Sequence, residues 1–258
     1  MSSYNTIILS FKRAGRVAGY EYFPDALICV PESQRDEYAK HYDARRLLVI
    51  PDERDGLCVK KRIWIMENIG RPLLMLDDDV DCLTTTQGVY DEQGRFTGNS
   101  KQFIKLSPQE AERVIIDGFN LAHQMGAVFW GLNVNTDGRN YQQYKPFTLS
   151  GMVLGPFQAH LPHEFNYDLR TGTKQDYDMS LQVLNKYRLT LRLNKYGYSC
   201  KYGNNQGGSV SQRTQQIEEG YCRAVMRKWG SKIISYRIPP RKMTDLLNGR
   251  VNVPIHGV

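Results

Sequence analysis

The segment Leu73-Leu74-Met75-Leu76-Asp77-Asp78-Asp79 joins four consecutive apolar residues to three consecutive aspartates. A short, wholly apolar run is typical of a strand that is covered on both faces, as in a parallel sheet. Ligands bind such sheets at the carboxyl ends of the strands. Three adjacent carboxylates at that edge repel one another, and Mg²⁺ or Mn²⁺ would supply the counter-charge. The segment therefore predicts a strand that ends in a metal site; an acidic turn that caps the next element is the alternative.

Three earlier apolar runs have the same character as this strand. They cover residues 6–11, 26–30 and 46–50, and a proline follows each of the last two. Helical patterns separate the runs, the clearest of them over residues 57–69. Strands that alternate with helices predict an α/β fold with a mostly parallel sheet.

The second part of the chain continues this mixture of elements. Ser107 and Glu110 form a capping box with Pro108 at the first helical position, which predicts the start of a helix. A loop or small hairpin is expected over residues 83–106. The other expected elements are strands over 127–134, over 148–154 and within 189–202, and helices from 173 and over 214–229.

Basic residues follow the first strand. Lys12, Arg13 and Arg16 surround Ala14 and Gly15, and small residues let the backbone approach a ligand while arginine offers forked donors to phosphate. The basic run 60–62, in the helix predicted over residues 57–69, could add to a diphosphate site. A solvated loop and a basic helix face are the alternatives. Neither a Walker A nor a GxGxxG spacing is present, which disfavours P-loop enzymes and Rossmann dehydrogenases.

A second acidic segment, Gln175-Asp176-Tyr177-Asp178, lies at a predicted helix start. A carboxylate there could accept a proton from a substrate hydroxyl, although acidic residues in a first turn also simply favour the helix dipole. His160, His163 and His256 lie in loop-like contexts. Each of them could ligate a metal, and His256 is a candidate third ligand; a solvated loop histidine is the alternative.

Composition excludes several classes of protein and divides the chain by charge. Of the 258 residues, positions 181–258 carry 14 Lys/Arg and 3 Asp/Glu, whereas positions 1–180 carry 20 and 24. No run approaches the ~18 apolar residues of a membrane span, and no secretory signal is evident. The five scattered cysteines form no CxxC pair, which disfavours a zinc ribbon or disulfide framework and suggests a reducing, cytoplasmic location.

The order of these segments resembles that of GT-A nucleotide-sugar glycosyltransferases, which have a Rossmann-like half, an Asp-rich metal motif and a later acidic helix start. The Leu-Asp-Asp-Asp-Val sequence, the length and the basic C-terminal segment resemble the TET-associated glycosyltransferases of bacteriophages, inferred to glycosylate oxidised 5-methylpyrimidines in DNA. The resemblance implies a single GT-A domain with a mostly parallel sheet and a basic C-terminal extension. Residues 1–134 would bind the nucleotide-sugar, and residues 135–258 would bind the acceptor.

The resemblance also implies roles for individual residues. Asp77 and Asp79 would hold Mn²⁺ or Mg²⁺, and Asp78 would contact the sugar or the metal. Asp176 or Asp178 would face the acceptor hydroxyl; many relatives have Glu-Asp where this chain has Gln175-Asp176, which leaves the identity of the base open. The residues expected to bind the nucleotide are Ser10, Arg13, Arg16, Pro31, Lys61, Asp77 and Asp78.

The function expected from these observations is metal-dependent transfer of a sugar from a UDP-sugar to a hydroxymethylated pyrimidine in DNA. A base in a duplex would be flipped out to reach the site, and the basic tail would bind the phosphate backbone. No membrane partner is expected. The alternatives are a glycosyltransferase with a protein or polysaccharide acceptor, a nucleotidyltransferase, and a DNA-binding module with a degenerate transferase fold.

Overall fold

The computed structural model describes residues 4–134, 144–200 and 214–253, with the backbone alone for residues 98–103. Its strands are β1 Asn5–Leu9, β2 Leu27–Pro31, β3 Leu47–Ile50, β4 Leu73–Asp77, β5 Val80–Tyr90, β6 Phe96–Lys105, β7 Phe129–Leu132, β8 Phe147–Thr148, β9 Phe157–His160, β10 Leu191–Leu193, β11 Tyr196–Cys200, β12 Ile234–Ser235 and β13 Arg250–Val251. Its α-helices are α1 Arg35–Ala39, α2 Cys58–Asn68, α3 Pro108–Met125, α4 Gln175–Tyr187, α5 Gln215–Trp229 and α6 Thr244–Leu247.

The central sheet has eight strands in the order β3-β2-β1-β4-β9-β7-β10-β8. Strands β1 to β4, β7 and β10 share one direction, whereas β8 and β9 run against it. The sheet is therefore mostly parallel and flanked by helices. This confirms the α/β class expected from the sequence and fits a GT-A-like fold.

Apolar side chains cover both faces of the central sheet, which explains the continuous apolar runs. Ile7 and Met75 pack with α2 and α4 on one face. Ile8 and Ile28 pack with α3 on the other. The capping box of Ser107 and Glu110 is present at the start of α3, as predicted.

The hairpin expected over residues 83–106 is present, but it is long rather than small. Strands β5 and β6 are 11 and 10 residues long, and together with β11 they make a three-stranded antiparallel sheet. Asp91 closes the turn by accepting hydrogen bonds from the backbone N–H groups of Gln93 and Arg95. Strand β5 was not recognised in the sequence because it is only partly buried and contains several polar residues.

The prediction of a strand over residues 148–154 is wrong. Only Phe147–Thr148 pairs, and the backbone of Val153 instead exchanges two hydrogen bonds, at 3.0 and 2.9 Å, with the hydroxyl of Ser180 on α4. The next strand, β9, was not predicted. It lies inside the sheet between β4 and β7 and begins directly after Gly155-Pro156.

The C-terminal unit, defined as residues 214–253, contains α5, α6 and the pair β12–β13. Its apolar side chains pack on α4 through Tyr177 and Leu181. The helix predicted over residues 214–229 is confirmed as α5. Within the described ranges, no helix combines the length and apolar character needed to cross a membrane.

Candidate active site

The pairing of β1 with β4 builds one side of the site. Leu9 is in register with Asp77, so the loop after β1 lies beside the three aspartates that end β4. A cavity of about 510 Å³, here called the sheet-edge cavity, opens at this point. The predicted site residues that line it are Ser10, Arg13, Lys61, Asp77, Asp78, Asp79 and Asp176.

Asp78 is a buried anchor for the loop after β1. Its carboxylate forms an ion pair with Arg13 and accepts hydrogen bonds from Ser10 Oγ at 2.7 Å and from the backbone N–H of Phe11 at 3.3 Å. Burial raises the pKa of Asp78, whereas Arg13 and Ser10 act in the opposite direction. Both carboxylate oxygens are engaged, so Asp78 holds the aspartate turn against the loop.

Asp77 is paired with an arginine from α2. The guanidinium of Arg62 lies 2.8 Å from Asp77 Oδ1, and the Arg62 side chain is buried below the ring of Tyr167. Asp77 itself remains partly exposed to the cavity. The sequence identified Arg62 only as one member of the basic run 60–62. Lys61 and Arg62 of that run are buried, whereas Lys60 is not.

Asp79 differs from its two neighbours because no Lys or Arg of the described residues forms an ion pair with it. Burial and the charges of Asp77 and Asp78 raise its pKa to about 6. A cation beside Asp79 would relieve this repulsion, so Asp77 and Asp79 fit a hard divalent metal.

The described residues contain no group of three His, Cys, Asp or Glu side chains that could hold an ion by themselves. Two carboxylates are nevertheless a sufficient protein contribution for Mg²⁺ or Mn²⁺ when substrate phosphate oxygens complete the coordination. The donor set therefore suits an ion that binds together with a phosphate-bearing ligand.

Asp176 approaches the same cavity from the first turn of α4. Its carboxylate accepts hydrogen bonds from the backbone N–H groups of Gly155, at 3.0 Å, and Tyr177, at 2.9 Å. Burial raises its pKa. Gly155 has φ +79°, and a Cβ there would lie 2.5 Å from the hydroxyl of Tyr198, so glycine is required next to this carboxylate.

Asp178 lies two residues further along α4, and the described lining of the cavity does not include it. Its fully buried carboxylate accepts hydrogen bonds from Lys228 Nζ at 2.9 Å, Trp229 Nε1 at 2.7 Å and Gln182 Nε2 at 2.9 Å. These contacts join α4 to α5. Of the two carboxylates left open by the sequence, the geometry favours Asp176 as the group that meets a ligand.

Four basic side chains line the sheet-edge cavity among the described residues, and each one is paired with a carboxylate. The pairs are Arg13 with Asp78, Lys61 with Asp55, Arg62 with Asp77 and Lys174 with Glu218. Their charges are already balanced, so a diphosphate that enters the cavity requires additional positive charge.

The remaining predicted residues are distributed differently. Arg16 and Pro31 do not belong to the described lining; Arg16 is exposed and donates to the carbonyl of Lys12 at 3.1 Å, and Pro31 is buried at the end of β2. His256 lies outside the described residues. The lining also includes Lys174 and Asn248, which the sequence did not assign to a site. Lys174 pairs with Glu218, and Asn248 lies far along the chain from the aspartates of the cavity.

His160 and His163 are buried parts of a hydrogen-bond chain. Tyr167 donates its hydroxyl to Gln158 Oε1 at 2.6 Å, so its oxygen accepts from His160 Nε2 at 2.9 Å. His160 Nδ1 must then accept from His163 Nε2, at 2.9 Å, while His163 Nδ1 accepts from the backbone N–H of Phe165. Each nitrogen has one role, and both rings are neutral.

Comparison with known protein families gives a match. The sequence model of a protein family described as TET-Associated Glycosyltransferase matches residues 4–208, which include all elements of the central sheet and the aspartates of the cavity. No curated protein and no solved structure matched the chain.

Proposed function

The chain belongs to the TET-associated glycosyltransferase family, and we propose that it transfers a sugar from a UDP-sugar to a hydroxymethylated pyrimidine in DNA, with Mn²⁺ or Mg²⁺ on Asp77 and Asp79. The observation that carries the proposal is the lining of a single cavity by this aspartate pair, the loop after β1 and Asp176. A donor, a metal and an acceptor hydroxyl would meet there.

The donor end of the cavity suits a nucleoside diphosphate. A divalent cation bound there would stabilise the charge of the departing diphosphate. The described basic side chains of the lining are already paired with carboxylates. A metal, rather than arginine alone, would therefore neutralise the charge of the diphosphate. Asp78 and Arg13 would hold the loop that faces the nucleotide.

Asp176 is the proposed general base. It would accept the proton of the hydroxymethyl group while that oxygen bonds to the anomeric carbon of the sugar and the bond to the diphosphate breaks. Burial raises the pKa of this carboxyl group, which makes it a better proton acceptor than an exposed aspartate. Two backbone N–H groups orient it for this step.

DNA is proposed as the acceptor because of the family and the charge of the chain. Residues 181–258 carry 14 Lys/Arg against 3 Asp/Glu, which favours a polyanion near the acceptor side. A modified base would enter the cavity after flipping from a duplex or directly from a single strand.

Incubation of the protein with 5-hydroxymethylcytosine DNA, UDP-sugars and Mn²⁺ tests this function. Mass spectrometry of the digested nucleosides should show a sugar adduct on the modified base, and chelation of the metal should abolish it. Unmodified cytosine DNA is the acceptor control. Transfer that persists after chelation would refute the metal assignment, and transfer only to a protein or polysaccharide would refute the DNA acceptor.

The double variant Asp77→Ala/Asp79→Ala separates catalysis from DNA binding. It should lose sugar transfer and retain DNA binding, because both carboxylates serve the donor side. Unchanged transfer by this variant would contradict the proposed metal site.

A further inference from the structure

The C-terminal unit lies beyond the family match, which ends at residue 208, yet it borders the sheet-edge cavity. Leu247 and Asn248, at the end of α6, line that cavity. The backbone N–H of Gly249 donates to the hydroxyl of Tyr177, at 3.2 Å, and Tyr177 follows Asp176 in α4. The unit therefore forms part of the wall on the proposed acceptor side.

A second cavity of about 570 Å³, here called the basic groove, lies on the C-terminal unit. Arg237, Lys242 and Arg250 line it, and all three side chains are exposed. Within the described ranges, none of the three forms an ion pair with Asp or Glu. Unlike the cations of the sheet-edge cavity, these three face solvent, and Asp245 is the one carboxylate near them in the described lining.

Asp245 is the one acidic residue of the described groove lining, and it has a local structural role. Its Oδ2 accepts hydrogen bonds from the backbone N–H groups of Arg241, at 2.9 Å, and Lys242, at 3.3 Å. These contacts fix the turn that presents Lys242. Three cations against one engaged carboxylate leave the groove with a positive potential.

The basic groove and the sheet-edge cavity are neighbours. Asn248 lines both of them. The chain at Gly249 passes close to the ring of Tyr236, which lines the groove; a Cβ at Gly249 would lie 2.7 Å from that ring. A nucleic-acid strand held in the basic groove would thus lie next to the sheet-edge cavity, where a base would reach Asp176.

We propose that the basic groove binds the phosphodiester backbone of the acceptor nucleic acid next to the base that is modified. Guanidinium groups match phosphate oxygens in a forked geometry, and Ser235, Thr244 and Asn248 supply the short polar side chains that commonly contact phosphates. This inference rests on the proposed function for the identity of the acceptor and adds the surface that holds it.

The triple variant Arg237→Gln/Lys242→Gln/Arg250→Gln tests the groove. DNA affinity is measured by fluorescence anisotropy over a series of salt concentrations, with a labelled 5-hydroxymethylcytosine oligonucleotide. Each phosphate contact that is lost should reduce the slope of log K against log salt by about 0.7 for a single strand or 0.9 for a duplex. Three lost contacts should therefore make the slope shallower by about 2 to 3.

The matched control is Lys40→Gln/Arg45→Gln/Arg113→Gln, which removes the same charge from exposed positions outside both cavities. Its salt slope should equal that of the wild type. Both triple variants should retain sugar transfer to the free hydroxymethylated nucleoside, since no substituted residue lines the sheet-edge cavity. Thermal melting checks that the two variants are folded.

The outcomes separate this inference from the proposed function. Equal salt slopes for the groove variant and the control would overturn the groove, even if the wild type glycosylates DNA. A shallower slope for the groove variant alone would support the groove. That result would stand even if the wild type transferred no sugar to DNA, in which case the proposed reaction would be wrong.

Discussion

The ammonium group of Lys174 lies 2.8 Å from Glu218 Oε2, and both side chains are almost completely buried. Thr173 donates its hydroxyl to the same carboxylate oxygen at 2.8 Å. Residues 173 and 174 line the sheet-edge cavity two to three residues before Asp176, whereas Glu218 belongs to α5, beyond the family match. The C-terminal unit therefore supports the wall of the site from behind.

Substitution of Glu218 should destabilise the protein strongly. Glu218→Gln leaves the buried ammonium of Lys174 without a counter-charge, and loss of one partner of a buried pair costs about 3–5 kcal/mol. Urea unfolding measures the change. Glu219→Gln, one residue further on, breaks a 3.7 Å contact with the exposed Arg223 and should cost less than about 1 kcal/mol. Equal stabilities of the two variants would contradict the role assigned to the buried pair.

Asp79→Asn should weaken metal binding. We expect metal-dependent binding of UDP, measured by calorimetry, to become weaker in this variant. The loss should exceed roughly 10- to 100-fold, which is the usual effect of removing a residue that only supports a metal ligand. Asp81→Asn, in the same acidic segment but outside the described cavity lining, is the matched control and should bind like the wild type. Metal-dependent UDP binding that is unchanged in Asp79→Asn would exclude Asp79 as a ligand.

Asp176→Asn and Asp178→Asn should have opposite profiles. Asp176→Asn should reduce sugar transfer by about 10²- to 10⁴-fold, the usual contribution of a general base. Asp178→Asn should mainly lower the free energy of unfolding, by about 1–3 kcal/mol, because hydrogen bonds from Lys228 and Trp229 lose their charged acceptor. Transfer assays on both variants, with urea unfolding, check this; a larger loss of transfer in Asp178→Asn would reverse the assignment.

Features that depend on local sequence were predictable. The apolar strand before Asp77 and the capping box of Ser107 and Glu110 are determined by neighbouring residues, and the structure contains both. The gathering of the aspartates and the loop after β1 was also predictable, because carboxyl ends of parallel strands share one edge.

Features that depend on distant partners were not predictable. Residues 149–154 look like a strand, but Ser180 of α4 takes the hydrogen bonds that a neighbouring strand would have made to Val153. Asp178 resembles a catalytic carboxylate in sequence, and only the position of Lys228, 50 residues later, reveals the contact that joins it to α5. No local pattern contains this information.

The hydrogen-bond chain through His160 and His163 should make stability depend on pH. Burial lowers the pKa of His163 to about 4, and Arg71 acts in the same direction whereas Glu164 opposes it. The pKa of a histidine in the unfolded chain is about 6.5. Between these two pKa values the imidazole is protonated in the unfolded chain and neutral in the folded one. The free energy of unfolding should therefore fall as the pH decreases from about 6.5. The fall is up to about 1.4 kcal/mol per pH unit for each histidine. In His163→Gln, urea unfolding between about pH 4.5 and 6.5 should show a shallower dependence. The exposed His123→Gln should keep the wild-type slope; a wild-type slope in His163→Gln would contradict the neutral network.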